Sequence, residues 1–179
     1  MEITAQIFGI VGMICNIILY QQKTQKWVLI WQIFASTAFL FNYMLLGAMV
    51  GCLLNGLSVL RAVVFLFKEK TKANHIGWLI AFIITFVATY PLTFLVFGTE
   101  PTPKHLLIEV LPIIAMIVAT VSLRLGSAKA VRFLGLFSSP LWLIYNCFSG
   151  SIGAVASEIF NLISMVVGIF RLDIKKKKT

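Results

Sequence analysis

Two sets of polar residues sit where an apolar chain can least tolerate them. Asn55, Ser58 and Arg61 interrupt one apolar run; Glu158, Asn161 and Ser164 interrupt another. Both sets follow the spacing i, i+3, i+6, which keeps each on one slowly drifting face of a helix. A charged side chain at the bilayer centre costs at least about 2.5–3.5 kcal/mol on insertion scales, so such residues normally face a bundle interior or a watery cavity. In one reading, the amide, hydroxyl and charged groups line a binding site for a small polar molecule. In the other they clamp helices together, at about 0.6 kcal/mol per bond. Glu158 and Arg61 are expected either to form a buried pair or to leave Glu158 free to titrate and carry a proton. Trp142 adds a flat face for packing or ligand stacking in a neighbouring run, with Asn16, Asn42, Tyr43, Tyr145 and Asn146 as further polar candidates.

The two sets occupy equivalent places. Slid along by about 103 positions, residues 7–67 fall on 110–170 without a gap. Met13/Met116, Lys26/Lys129, Ser36/Ser139, Gly47/Gly150 and Phe67/Phe170 are then identical, and apolar runs and basic turns coincide. Each copy holds three apolar runs, and one unmatched run near 77–97 lies between the copies. Three plus one plus three is the plan of a parallel repeat, in which an odd linker helix restores the orientation of the second copy. The expected fold is therefore an all-α membrane protein. Its seven transmembrane helices form two parallel three-helix-bundle repeats joined by a linker helix.

Composition agrees with that plan. Hydrophobic residues make up 60% of the 179 and charged ones 12%. A span needs about 20 apolar residues, and spans are expected near 4–20, 27–46, 50–67, 76–97, 106–123, 131–148 and 151–170. This leaves no room for a soluble catalytic domain. The units divide as 1–70 (first bundle), 71–103 (linker helix and loop) and 104–179 (second bundle and basic tail). The net charge of +9 is not spread evenly. Lys23, Lys26, Lys68, Lys70, Lys72, Arg124, Lys129, Arg132 and the tail Lys175 to Lys178 fall on one side, and Lys104 alone on the other. Basic connections favour the cytoplasm, which puts the N-terminus outside and the C-terminus inside. A groove-binding patch would not alternate with spans, so nucleic acid is not an expected partner. The tail reads as an anchor to anionic lipid, at about 1 kcal/mol per basic residue.

Other features carry less. MEITAQ lacks the positive stretch of a signal peptide, so the first run is expected to be a retained helix. Cys15, Cys52 and Cys147 have neither metal spacing nor an even count for disulfides. His75 and His105 fall in loops on opposite sides and cannot share a metal. There is no phosphate loop, HExxH or nucleophile elbow, so neither an enzyme nor a cofactor is expected. Pro91, Pro112 and Pro140 lie inside runs. A mid-helix proline removes a backbone hydrogen bond, and Pro112 and Pro140 are candidates for static bends or for hinges.

The segment Ile-Glu-Val-Leu-Pro-Ile-Ile (108–114), and the segment from Ile144 to Glu158 with its Asn-x-x-x-Gly-Ser-Ile-Gly core, resemble the bacterial inner-membrane family called YgjV. So does the stretch from Leu45-Leu46-Gly47 to Arg61. The resemblance covers essentially the whole chain and implies a multi-pass protein of the cell inner membrane. The three-one-three plan also resembles the SWEET and PQ-loop transporter superfamily and the vitamin-precursor carriers of the PnuC kind. That resemblance implies a central site with Asn55 and Asn161 on spans three and seven, flanked by Trp142 and Phe39. The chain departs from the pattern in having Tyr20-Gln21-Gln22 where a Pro-Gln pair would stand, and in adding Arg61 and Glu158, which a neutral sugar would not require.

The expected function is transport of a small polar molecule, sugar-like or vitamin-like, by alternating access. The site would comprise Asn55, Ser58, Arg61, Trp142, Glu158, Asn161 and Ser164, with hinges at Pro112 and Pro140. The other reading is a non-transporting integral membrane protein, a receptor or assembly partner, on the same scaffold. Expected partners are membrane lipid and a small-molecule substrate, and association into a homo-oligomer is compatible with the sequence.

Overall fold

The computed structural model describes residues 2–98 and 100–174, and all secondary structure in them is helical. Apolar runs give the long helices α1 (Glu2–Tyr20), α2 (Gln25–Leu46), α3 (Met49–Leu66), α5 (Ile76–Leu95), α7 (Val110–Arg124), α8 (Ala128–Ser149) and α9 (Ile152–Gly168). Two short helices, α4 (Lys68–Thr71) and α6 (Pro103–Ile108), and a π-helical segment (Ile169–Ile174) complete the set. Six stretches are long and apolar enough to cross a membrane: Ile3–Tyr20, Gln25–Leu46, Met49–Leu66, Ile76–Leu95, Pro103–Arg124 and Ile152–Ile174. The expected span at 131–148 does form a helix, the 22-residue α8, but it is not among those six. Arg132, Ser138, Ser139, Pro140 and Asn146 dilute its apolar content. The basic tail at 175–178 lies outside the described residues.

The ends of the helices explain the tight turns. Gly47 and Gly150 close α2 and α8 with φ of 73° and 71°, a left-handed conformation that costs glycine nothing. The chain therefore re-enters a helix within two or three residues, and α2/α3 and α8/α9 become antiparallel hairpins. Ser127 and Ser151 cap α8 and α9, accepting from Ala130 N (3.1 Å) and Ala154 N (3.2 Å). The expected single span at 106–123 is broken at Glu109, between α6 and α7. Pro112 has no N–H for the carbonyl four residues earlier, that of Ile108, and the helix is interrupted one residue beyond it.

Six helices form a ring in the order α1, α2, α3, α7, α8, α9, with α9 packed back on α1. Helix α5 stands outside the ring against α3 and α7. The ring has a glycine end, with the turns at Gly47 and Gly150, and a basic end, with Lys23, Lys26, Arg124, Lys129 and Arg132. Large apolar side chains such as Phe34, Leu60, Ile84 and Phe137 point outward, more than half exposed. Polar side chains are drawn inward, which is the pattern of a protein whose solvent is lipid.

Candidate functional site

All six ring helices line one central cavity, of about 110 Å³. From α3 come Asn55, Ser58 and Arg61; from α8, Trp142; from α9, Glu158 and Asn161. Six of the seven expected binding residues thus share one space. Ser164 does not. It is buried in the α1/α9 seam, where its hydroxyl accepts from Gln21 Nε2 (2.8 Å) and donates to the Ile17 carbonyl (3.2 Å). The drift of an i, i+3, i+6 stripe carries its last member out of the cavity and into the neighbouring helix contact.

Arg61 and Glu158 face the same cavity without pairing. The one ion pair among the described residues joins Arg132 to Asp173. Arg61 is 1% exposed. Its Nη1 donates to the Met116 carbonyl (3.0 Å) and to Thr120 Oγ1 (2.9 Å), and its Nη2 to Ser58 Oγ (3.1 Å). The guanidinium also lies 5.9 Å from the centre of the Phe86 ring on α5. Arg61 therefore bridges α3 to α7, with only neutral acceptors. Glu158 is half-buried and accepts a hydrogen bond from the Ser139 hydroxyl of α8.

Three further polar side chains, not among the expected site residues, line the same cavity. Gln32 and Ser36 of α2 both donate to Ser58 Oγ, at 3.3 and 3.1 Å, and Ser139 holds Glu158. A signal for them existed. Gln32 and Ser36 are polar residues four apart in an apolar run, and Ser36/Ser139 is one of the identities between the two halves.

At the glycine end the cavity stops at an aromatic layer. Tyr43 stacks near Trp142 (6.3 Å between ring centres), and Trp142 meets Tyr145 edge-on (5.8 Å). Tyr43 Oη donates to Asn146 Oδ1 (2.5 Å), and Gly51 N donates to Tyr145 Oη (3.0 Å). Asn42 ties the same level together, donating to the Ala5 carbonyl and accepting from Ser151 Oγ, each at 2.7 Å. Toward the basic end the lining continues to Tyr20, Leu123 and Val131, in the terminal turns of α1, α7 and α8. There Arg132 binds Asp173 through Nε (2.8 Å) and Nη2 (2.7 Å), and donates to the Gln22 carbonyl (2.9 Å). A second cavity, of about 270 Å³, lies at the glycine end between the α2/α3 turn, α5, α6 and α8, with Val50, Lys104 and Glu109 on its wall.

The two expected hinges differ in setting. Pro112 is buried at the α6/α7 interruption, whereas Pro140 is exposed in an unbroken α8. Neither lines the central cavity. The cysteines are free thiols. No group of three or more His, Cys, Asp or Glu among the described residues is disposed to hold a metal.

No match is found among curated proteins or among solved structures. The model of the Imp-YgjV family, described as bacterial inner membrane protein, matches residues 3–176. Nearly the entire chain is covered, in keeping with six helices fit to cross a bilayer, and the protein belongs to this family of bacterial inner membrane proteins.

Proposed function

We propose that the protein is a carrier for a small polar molecule, working by alternating access across the inner membrane. On this reading α1–α3 and α7–α9 are two copies of one three-helix unit, related by a parallel repeat and joined through α5 as a seventh, linking span. The basic end is cytoplasmic, with the N-terminus outside and the C-terminus inside. The observation that carries the reading is the central cavity. It lies between the two units, takes its lining from every ring helix, and collects polar side chains from an otherwise apolar chain. A clamp between helices needs no such space.

The cavity ends under the Tyr43, Trp142 and Tyr145 layer and extends toward the basic end, which on this reading is its path to the cytoplasm. The substrate would rest against Asn55, Ser58, Arg61, Trp142, Glu158 and Asn161. Opening toward the outside would part the Tyr43–Asn146 and Tyr145–Gly51 hydrogen bonds. The interruption at Glu109 and Pro112 gives α6 and α7 a place to bend relative to one another.

Uptake into proteoliposomes, with a panel of labelled sugars, vitamin precursors and amino acids, tests the proposal. At least one compound is expected to accumulate or equilibrate faster than in empty vesicles. Absence of flux for the panel, with correctly inserted protein, would leave only a scaffold role. If Glu158 carries a proton, Glu158→Gln abolishes the pH dependence of uptake. Unchanged pH dependence in that variant removes the proton role. A cysteine introduced at Lys104 should label from outside intact cells and one at Lys70 should not; the reverse result inverts the orientation.

A further inference from the structure

Four buried side-chain atoms among the described residues have no hydrogen-bond partner within the protein, and two of them belong to residues lining the central cavity: Arg61 Nε and Asn161 Oδ1. One is a donor and the other an acceptor. Each residue is 1% exposed, and buried polar groups are rarely left unpaired. They stand on α3 and α9, which occupy opposite places in the ring.

A guanidinium has five N–H donors. Arg61 commits three to Met116, Thr120 and Ser58. The remaining two are the Nε hydrogen and one on Nη2, the two nitrogens whose shared edge can receive a carboxylate through two parallel bonds. The other deep arginine provides the contrast. Arg132, 2% exposed, uses that same edge, Nε and Nη2, on the carboxylate of Asp173. Arg61 is as deeply placed and has no acid.

The opposite wall has the complementary character. Glu158 brings a carboxyl group held by the Ser139 hydroxyl, and Asn161 an amide oxygen without a donor. A buried guanidinium without an acid and a carboxyl group without a base thus share one small space. A neutral sugar would leave the guanidinium uncompensated.

We propose that the central cavity binds a small zwitterion, with its carboxylate on the free edge of Arg61 and its ammonium between Glu158 and Asn161 Oδ1. The inference rests on the carrier reading of the same cavity, and names its substrate class. The volume of about 110 Å³ selects for a compact molecule, of the order of a small amino acid.

The test is a binding measurement on the purified full chain in nanodiscs, by isothermal titration and thermal shift. The probes are glycine, alanine and serine, with lactate as carboxylate without ammonium, ethanolamine as ammonium without carboxylate, and glucose as neutral control. At least one amino acid is expected to bind tenfold or more tightly than lactate, ethanolamine or glucose. Glu158→Gln should lower amino-acid affinity to the level of lactate and leave lactate unchanged. Arg61→Gln should lower both by tenfold or more. No amino-acid binding, or glucose binding as tightly as the best amino acid, overturns the proposal. So does a folded Arg61→Gln variant with unaltered amino-acid affinity. If that variant does not fold, the wild-type comparison of probes decides alone. Flux assays separate this inference from the carrier reading. Amino-acid binding without flux keeps the zwitterion site and removes transport, whereas glucose flux without amino-acid binding does the opposite.

Discussion

The ring closes through two seams, α1 against α9 and α3 against α7, and they are built differently. At the first, Gly9 and Gly153 approach so closely that a Cβ on Gly153 would lie 2.9 Å from the Gly9 Cα. The residues 103 positions away from these two are Pro112 and Val50. The same contrast recurs at three further positions: Ala5 lies 103 positions from Ile108, Ser157 from Leu54 and Gly168 from Phe65. Small residues let helix backbones approach in a membrane, where no hydrophobic force drives helices together. Bulky ones hold α3 and α7 apart, and the two touch far less than α1 and α9.

The polar contacts follow the same rule. Ser164, a short side chain, crosses the narrow seam to the Ile17 carbonyl. Its counterpart Arg61 crosses the wide seam with a long one, reaching Met116 and Thr120. Gln6 accepts from Gly153 N at 3.0 Å in the narrow seam, while its counterpart Glu109 keeps an unpartnered Oε2 on the wall of the second cavity. The outer flank of the wide seam is filled by α5, through Phe82 and Phe86, whose rings stack at 5.9 Å, with Phe86 against Arg61. What the comparison teaches is that one seam is a fixed joint and the other a packed gap. In a carrier, the two halves would turn about the first and separate at the second.

This contrast can be broken in graded ways. Phe86→Ala should have the largest effect. It removes a fully buried ring from the filler of the wide seam, and a loss of about 3–5 kcal/mol is expected for such a truncation, read as a fall in thermal stability in detergent. A wild-type melting temperature in this variant would mean that α5 does not fill the gap. Gly153→Val comes next, at about 1–3 kcal/mol of overpacking, because the atom it meets is backbone and cannot swing aside. Cross-linking between cysteines placed on α1 and α9 should slow in that variant. The Gly153 side of the comparison fails if its stability matches wild type. A smaller effect is expected from Gln6→Ala, about 0.6 kcal/mol for one lost interhelical bond. Glu109→Ala should change stability by less still, having no bond to lose. Hydrogen exchange at the first turns of α9 and α3 reads the two separately, and equal changes would make the seams equivalent.

The sequence carried the helices and most of the expected residues on the cavity wall because both leave periodic signals. Apolar runs bounded by Gly47 and Gly150 marked the hairpins, and the paired polar stripes marked the cavity wall. It did not reveal that Arg61 and Glu158 form no pair, since the hydrogen bonds that draw them to separate walls come from Thr120 and Ser139, on other helices. It also misplaced Ser164, because three residues per step falls short of a full helical turn of about 3.6 residues, and the stripe rotates toward α1. The small-versus-large difference between seams was present in the aligned residues. Its meaning depended on knowing that α9 packs on α1 and α3 on α7, which adjacency along the chain does not give. The partnership of Arg132 with Asp173 was hidden for the same reason.

That partnership bears on how the protein is made. On the seven-span reading α8 is the span least suited to lipid, and one of its charges, Arg132, is neutralised by a residue 41 positions further along the chain. While α8 emerges from the ribosome, Asp173 does not yet exist. Entry of α8 into the bilayer is therefore expected to wait for its neighbours, with α7, α8 and α9 partitioning from the translocon as a group. A chain halted before Asp173 should be recognised as unfinished by membrane quality control, with no damage at the cavity itself.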